Sequence, residues 1–324
     1  MNVRRLIPAA AVTGAAAIGL TALSACSASD TGGTADGGKL NVVASFYPMQ
    51  YLAEEIGGSH VSVTTLTKPG VEPHDLELSP RQIGGLSDAG LILYLKGVQP
   101  AVDDAVGQAG VKNTVDATEL TTLEEHGTEV DSHDHGHEEG EEHEDHEDGK
   151  AGLDPHVWLD PVRYAEVAEG VGKALEKADP GHAADYRRNT TTLVGRLGAL
   201  DTAYENGLKN TTTRTIVTTH AAFGYLAERY GLTQEGIAGL DPEAEPSPAR
   251  ISEIHSVIGE NKATTVFFET LASDRTARTL AKDLGLKTDV LDPLEGITDA
   301  SEGDDYIEVM TSNLAALQKA LGAK

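Results

Sequence analysis

Short apolar runs alternate with amphipathic stretches along most of the chain, in two separate blocks. In the first block the runs predict strands over 40–46, 61–66, 91–95 and 113–117. In the second block they predict strands over 214–219, 234–238, 264–268 and 288–291. Helical patterns fill the intervals between strands, and this alternation is typical of parallel α/β architecture. The pattern therefore predicts two parallel-sheet α/β lobes.

A long helical stretch separates the two blocks. Its second part, 180–208, carries apolar or aromatic residues at spacings of three, four and seven, which place them on one helix face: Tyr186, Leu193, Leu197, Leu200 and Tyr204. We predict an N-terminal lobe over 39–178, a long rigid connecting helix over 179–210 and a C-terminal lobe over 211–324.

The first 26 residues have the layout of a secretory signal. Arg4 and Arg5 precede an uncharged apolar run from Leu6 to Leu23, and the chain's single cysteine follows at Cys26. We predict a signal peptide over 1–25, lipidation of Cys26 and a flexible tether over 26–38. The alternative is one transmembrane anchor with an incidental cysteine. The cleaved form would be an extracytoplasmic lipoprotein that is attached to the cell membrane and otherwise soluble.

The chain is strongly acidic, with 52 acidic and 25 basic residues and a formal net charge of −27. Such a field repels phosphate backbones and attracts cations, so we expect no nucleic-acid partner. Residues 124–148 hold 13 acidic residues, six histidines and no lysine or arginine. A segment of this composition buries too little apolar surface to fold alone, so we predict a disordered His/Asp/Glu-rich loop over 124–150.

Three histidines outside this loop share a position at predicted element ends. His74 lies between a strand and a helix, His156 begins a helical run, and His220 directly follows a strand. Asp292 also follows a strand. Because ligand sites in parallel α/β sheets form at the carboxyl ends of strands, these four side chains predict a metal site in the cleft between the lobes.

Several motifs resemble the solute-binding proteins of metal ABC transporters, in the zinc-binding branch. They are GVEPHDLELSP (70–80), DPHVWLDP (154–161), VTTHAAFGYLAERYG (217–231), EAEPSP (243–248), VFFE (266–269) and LDPL (291–294). The resemblance covers nearly everything after residue 40. It implies two α/β lobes bridged by one long helix, a metal between the lobes, and an importer completed by a permease and an ATPase.

Carried over residue by residue, the resemblance implies that His74, His156, His220 and Asp292 bind Zn²⁺. The manganese-binding branch has glutamate at the third position, where this chain has histidine. Imidazole nitrogens suit zinc, whereas oxygen-rich sets suit manganese. Glu72, two residues before His74, or a water molecule is an alternative fourth ligand.

Other residues are candidates for supporting roles. Glu269 ends a predicted strand and is either a hydrogen-bond partner of a ligand histidine or a plain strand-end carboxylate. Trp158, the single tryptophan, is expected to pack beside His156, and Asp160 with Pro161 to begin a helix. The histidines of the acidic loop are candidate accessory metal ligands: His126, His133, His135, His137, His143 and His146.

Together these features predict a monomeric receptor that captures Zn²⁺ outside the cytoplasm and is not an enzyme. Three alternatives stay open: a manganese or other divalent-metal receptor of the same family, a secreted zinc hydrolase, and a metal buffer or adhesin-like surface protein. Against the hydrolase, the sequence contains no HExxH motif.

Overall fold

The computed structural model describes residues 38–126 and 153–324, all of which belong to one compact unit, Gly32–Lys324. The predicted signal peptide, Cys26 and five loop histidines (His133, His135, His137, His143 and His146) lie outside the described residues. Within the described ranges, no helix combines the length and the apolarity needed to cross a membrane.

Four parallel strands form the sheet of the first lobe: β1 (Leu40–Ala44), β2 (Val61–Thr65), β3 (Leu91–Tyr94) and β4 (Thr114–Asp116). Three helices accompany them: α1 (Tyr47–Gly57), α2 (Pro80–Leu86) and α3 (Pro100–Ala109). The strand order is β2-β1-β3-β4, and Val42 pairs with both Val63 and Leu91. The first three residues of β3 are fully buried, as expected for a sheet that is covered on both faces.

Two helices follow the first lobe, α4 (Pro161–Ala178) and α5 (Ala183–Leu208). Asp160 caps α4 by accepting a hydrogen bond from Val162 N, and Pro161 occupies its first turn, so the predicted helix start is confirmed. α5 contains 26 residues and is therefore about 39 Å long. The apolar positions that predicted it are all buried.

The second lobe repeats the design of the first. Its strands are β5 (Thr215–Thr218), β6 (Thr233–Gly236), β7 (Thr265–Phe268) and β8 (Lys287–Val290). Its helices are α6 (Gly224–Tyr230), α7 (Pro248–Asn261), α8 (Arg275–Leu284) and α9 (Tyr306–Leu321). The strands are again all parallel, in the order β6-β5-β7-β8. All eight predicted strands are present, and their ends differ from the predicted ends by at most two residues. The fold class predicted from the sequence is confirmed.

One continuous apolar core runs through helices of both lobes. It contains buried side chains of α1, α4, α5 and α9. Buried tyrosine hydroxyls reinforce it, since Tyr204 donates to the Met310 carbonyl at 2.6 Å and Tyr306 donates to the Trp158 carbonyl at 2.5 Å. The long helix and the helices packed on it therefore hold the two sheets in a fixed relation, with a cleft between them.

Candidate metal centre

His74 lies in the loop between β2 and α2. Its backbone N–H donates to Glu72 Oε1 at 3.0 Å, which closes a short turn around the histidine. The His74 side chain is 13% exposed, whereas those of His156 and His220 are almost fully buried. His74 is therefore the candidate ligand that lies nearest to solvent.

His156 sits directly before a short 3-10 turn (Val157–Leu159) that leads into α4. Its backbone N–H and its Nδ1 both contact Asp154 Oδ1, at 2.9 Å and 2.7 Å. Asp154 is completely buried. Because a carboxylate only accepts hydrogen bonds, His156 donates from Nδ1, so Nε2 is the nitrogen that a metal ion can reach.

His220 follows β5, where the parallel strand ends and the chain turns toward α6. Its Nδ1 lies 2.9 Å from Glu269 Oε1, and Thr219 donates to the same oxygen at 2.7 Å. The structure thus places Glu269 beside His220 as its hydrogen-bond partner. The same reasoning gives His220 an Nδ1–H and leaves Nε2 as the nitrogen that a metal ion can reach. A carboxylate that orients an imidazole in this way is a common support for a metal ligand.

Glu295 completes the cluster. Its Oε1 lies 3.4 Å from His74 Nε2, 3.3 Å from His156 Nε2 and 3.4 Å from His220 Nε2. One ligand atom from each of the four residues lies within 4.8 Å of the other three. In a tetrahedral zinc site with bonds of about 2.0–2.1 Å, neighbouring ligand atoms are about 3.3–3.4 Å apart. The carboxylate oxygen therefore stands at the ligand-to-ligand spacing of a tetrahedral site.

Several polar atoms of this cluster are buried and have no hydrogen-bond partner. They include His156 Nε2, His220 Nε2 and Glu295 Oε2. Buried polar atoms are normally paired, because an unpaired one costs roughly 1–3 kcal/mol. The two unpaired nitrogens point to a metal ion as their missing partner.

The buried charges shift the pKa values of the cluster strongly. Burial lowers the pKa of His156, but the adjacent Asp154 carboxylate outweighs it and raises that pKa above its usual value. Burial likewise lowers the pKa of His220, and Glu269 together with Glu295 raises it well above the usual range. Burial raises the pKa of Glu295, yet the adjacent imidazoles of His156, His220 and His74 hold it well below its usual value. The ionised carboxylates of the cluster therefore favour a positive charge among them.

Asp292, predicted from the sequence as the acidic ligand, lies outside this set of four. Its Oδ1 accepts from Leu294 N at 2.8 Å, and its Oδ2 accepts from Thr270 and Ser301 at 3.1 Å each. Its carboxylate is thus occupied in shaping the loop after β8. Asp292 is therefore not grouped with the three histidines in the structure, whereas Glu295, three residues later, lies beside them.

The backbone conformation after β8 accompanies the placement of Glu295, and not Asp292, beside the histidines. Leu294 has a φ of +59°, one of two non-glycine residues with positive φ in the described parts of the chain. Trp158 Nε1 donates to the Pro293 carbonyl at 2.7 Å and fixes the turn. The alternation of apolar and polar positions does not reveal the left-handed conformation of Leu294. Glu295 was therefore not predicted as a site residue. The only available signal was a second carboxylate in the same loop, directly before Gly296.

Glu72, the alternative fourth ligand, is grouped with two carboxylates of the site and not with the three imidazoles. One of its oxygens forms a group with oxygens of Glu269 and Glu295, all within 4.8 Å of one another. Burial and then the charge of Glu295 raise the pKa of Glu72 to about 8. In the empty site Glu72 thus shares a proton-binding carboxylate group with Glu269 and Glu295, and it is not among the four residues whose ligand atoms surround one point.

His126 is the one histidine of the acidic loop among the described residues. It lies apart from the cluster, with its Nδ1 3.2 Å from Asp154 Oδ2 and its Nε2 2.9 Å from Glu228 Oε2. His126, Glu124 and Glu228 form a separate group of potential metal ligands. His126 is thus two hydrogen bonds away from His156, through Asp154.

Two parallel α/β lobes that enclose three imidazoles and a carboxylate define a two-lobed solute-binding protein with a site suited to a metal. Comparison with known proteins identifies the family to which the chain belongs. Residues 42–320 match the family model described as zinc-uptake complex component A, periplasmic, and the chain belongs to this family.

Curated relatives agree with the family match. The chain is 38% identical over 288 residues to the zinc-binding lipoprotein AdcA of Streptococcus pneumoniae, covering 87% of this chain and 56% of the relative. It is 38% identical over 311 residues to the high-affinity zinc uptake system protein ZnuA of Bacillus subtilis, covering 93% of this chain and 94% of the relative. The chain thus spans about half of the first relative and nearly all of the second.

Solved structures show the same fold. The crystal structure of the Zn(II)-bound ZnuA-like domain of Streptococcus pneumoniae AdcA superposes with a TM-score of 0.71 at 35% identity. The match covers 88% of this chain and 99% of that domain.

Proposed function

We propose that this protein is an extracytoplasmic receptor that binds Zn²⁺ between its lobes and delivers it to the permease of an ABC importer. One observation carries the proposal: Glu295 Oε1 stands 3.3–3.4 Å from the Nε2 atoms of three histidines. The ligands are His74, His156, His220 and Glu295. Relatives named as zinc-binding lipoprotein and zinc uptake protein support the assignment.

Zinc rather than manganese fits this set of donors. Three neutral imidazole nitrogens and one carboxylate oxygen suit a tetrahedral, borderline-soft ion. Manganese prefers more oxygens and a higher coordination number. Glu72 and Glu269 are nearby oxygen donors, but Glu269 accepts from His220 and Thr219, and Glu72 accepts from the backbone N–H of His74. The donor set therefore favours Zn²⁺.

The same four ligands argue for transport instead of catalysis. A hydrolytic zinc site keeps one coordination position open for water. Here a fully buried carboxylate takes the fourth position. We therefore propose that the ion is cargo, which the receptor binds and releases without chemical change.

Mixed-metal native mass spectrometry tests this assignment. Purified protein is exposed to equal Zn²⁺ and Mn²⁺, and loosely held ions are removed by a weak chelator. We expect one retained zinc ion in the unmodified chain and a shift toward manganese in His220→Glu. His255→Glu is the matched control, because His255 is exposed on α7. Retention of manganese by the unmodified chain, or unchanged zinc retention in His220→Glu, refutes the assignment.

We further propose that Cys26 carries a lipid anchor and that the receptor works as a monomer with a permease and its ATPase. The apolar run that ends at Cys26 supports the anchor, as does the name lipoprotein for a relative. In a Gram-positive host, Cys26→Ser is expected to move the receptor from the membrane fraction to the medium.

Zinc uptake that stays normal after loss of the receptor gene would exclude the transport role.

A further inference from the structure

Asn313 is a polar exception on the buried face of α9. The other buried residues of this helix are apolar or aromatic: Tyr306, Val309, Met310, Leu314, Leu317 and Leu321. Asn313 is only 3% exposed. Asparagine is a weaker helix former than leucine, and a buried amide is costly unless it is hydrogen-bonded. Formation of α9 alone would therefore favour leucine at this position, so the reason for the amide lies in its partners.

Both groups of the Asn313 amide bind the main chain of one residue, Asp292. Oδ1 accepts from Asp292 N at 2.9 Å, and Nδ2 donates to the Asp292 carbonyl at 2.7 Å. These partners fix the orientation of the amide, because a main-chain N–H only donates and a carbonyl only accepts. We call this pair of hydrogen bonds the Asn313–Asp292 contact.

The Asn313–Asp292 contact lies where the chain leaves the second sheet. Leu291 N still donates to the Phe268 carbonyl at 3.0 Å, which continues the pairing of β8 with β7. At Asp292, the amide of Asn313 supplies the acceptor and the donor that a neighbouring strand would supply within a sheet. Through this contact α9 determines the course of the main chain at the start of the loop that carries Glu295.

A short turn joins Asp292 to Glu295. Asp292 Oδ1 accepts from Leu294 N at 2.8 Å, and Leu294 has a φ of +59°. Trp158 Nε1 donates to the carbonyl of Pro293 at 2.7 Å. Each residue from 292 to 294 is thus held by a hydrogen bond, so a displacement of Asp292 is passed on to Glu295.

We propose that Asn313 is a positioning residue for zinc binding: its amide fixes the main chain of Asp292 and thereby places Glu295 Oε1 among the three imidazoles. The inference rests on the proposed function, because Asn313 acts only through the ligand Glu295. Groups of a binding site must stand within about 0.5 Å of the productive geometry. Glu295 Oε1 meets three nitrogens at 3.3–3.4 Å, so a small movement of the loop weakens its bond to the ion.

Asn313→Leu tests this role, because leucine is similar in size and offers neither hydrogen bond. The main-chain N–H and carbonyl of Asp292 would then be buried without partners, so the loop is expected to shift. Zinc affinity, measured by competition with a fluorescent chelator, should fall by about 10- to 100-fold, as is typical when a partner that orients a ligand is lost. Asn313→Asp keeps the acceptor for Asp292 N and removes the donor, so its affinity should fall in the same direction by less. It replaces Asn313→Leu in every measurement if the leucine variant does not fold.

Tyr204→Phe is the matched control. The Tyr204 hydroxyl donates to the carbonyl of Met310, one turn before Asn313 on α9. The variant thus loses a buried hydrogen bond to the same helix and none to the loop of Glu295. We expect a lower melting temperature for the zinc-free protein and an unchanged zinc affinity. An equal fall of zinc affinity in Tyr204→Phe and Asn313→Leu would assign the effect to the packing of α9 and overturn the role of Asn313.

A double-mutant cycle shows whether Asn313 acts through Glu295. Asn313→Leu should weaken zinc binding in the unmodified background and have little further effect in Glu295→Gln, where the carboxylate is already lost. Equal falls in the two backgrounds overturn the proposal, and so does an affinity of Asn313→Leu equal to that of the unmodified chain.

The visible absorption of bound Co²⁺ reports the geometry of the site, because Co²⁺ absorbs more strongly in a tetrahedral site than in an octahedral one. At saturating Co²⁺, Asn313→Leu should show a weaker band than the unmodified chain and Tyr204→Phe. An unchanged spectrum in Asn313→Leu overturns the proposal. Absence of tight zinc binding in the unmodified chain refutes the proposed function itself, whereas tight binding that is lost in Glu295→Gln but kept in Asn313→Leu refutes only the role of Asn313.

Discussion

Glu295 Oε1 lies 3.3 Å from His156 Nε2, although the two residues are separated by nearly half of the chain. Each residue is fixed from its own side of the cleft. Asp154 orients the imidazole, and the left-handed turn at Leu294 directs the carboxylate. This pairing is the core of the proposed zinc site and yields the first prediction.

Glu295→Gln should weaken tight zinc binding by at least about 100-fold. Loss of a partner that only supports a ligand already costs about 10- to 100-fold, and Glu295 is proposed to contact the ion itself. Competition with a fluorescent zinc chelator measures the affinity.

Asp292→Asn is the matched control. Its carboxylate binds Leu294, Thr270 and Ser301, so the variant should lose about 1–3 kcal/mol of folding free energy while zinc affinity changes far less. A larger loss of affinity in Asp292→Asn than in Glu295→Gln would restore Asp292 as the acidic ligand.

Zinc affinity should fall as the pH falls, and the fall should begin above the usual histidine pKa of about 6.5. Carboxylates raise the pKa values of His156 and His220, so the empty site holds protons that zinc must displace. Lowering the pH stabilises the protonated empty form and therefore opposes binding. Titration calorimetry in buffers of different ionisation enthalpy counts the released protons. An affinity that stays flat from about pH 7.5 to 5 contradicts histidine ligation.

Glu72→Gln should leave zinc affinity at pH 7 nearly unchanged. Glu72 Oε1 accepts from the His74 backbone N–H, a bond that the glutamine carbonyl oxygen can keep, and Glu72 is not among the four residues grouped around the proposed ion. Titrations of this variant and of Glu295→Gln at the same pH provide the comparison. If the affinities of the two variants fall equally, Glu72 is also a ligand.

Zinc binding should change the fluorescence of Trp158, the only tryptophan. Its ring centroid lies 5.1 Å from that of His156, and the side chain is completely buried. Because the ion binds on the far nitrogen of that imidazole, its charge alters the field at the indole. The change should saturate at one equivalent of zinc and be lost in His156→Ala. A signal that instead follows only excess zinc would place the tight ion elsewhere.

Much of the architecture could be predicted from the sequence. The two blocks of alternating strands and helices follow directly from hydrophobic periodicity, and the three histidines were found because they stand at the ends of elements. The acidic ligand that we propose could not be singled out from the sequence, because Asp292 and Glu295 occupy one loop and the positive φ of Leu294 between them is not visible in the sequence pattern. The pairing of Asp154 with both His126 and His156 depends on tertiary packing, which no local pattern reports.

The apolar core that joins α1, α4, α5 and α9 has a consequence for how the ion enters. Rotating the sheets apart as rigid bodies would bring tyrosines and leucines of this core into water, at about 25 cal/mol for every Å² of apolar surface exposed. Access to the ligands therefore depends on small displacements of surface loops, above all the one that carries His74. We expect the metal-free and zinc-loaded forms to have nearly equal radii of gyration. A transporter must therefore distinguish the two forms by differences in the surface around the opening of the cleft.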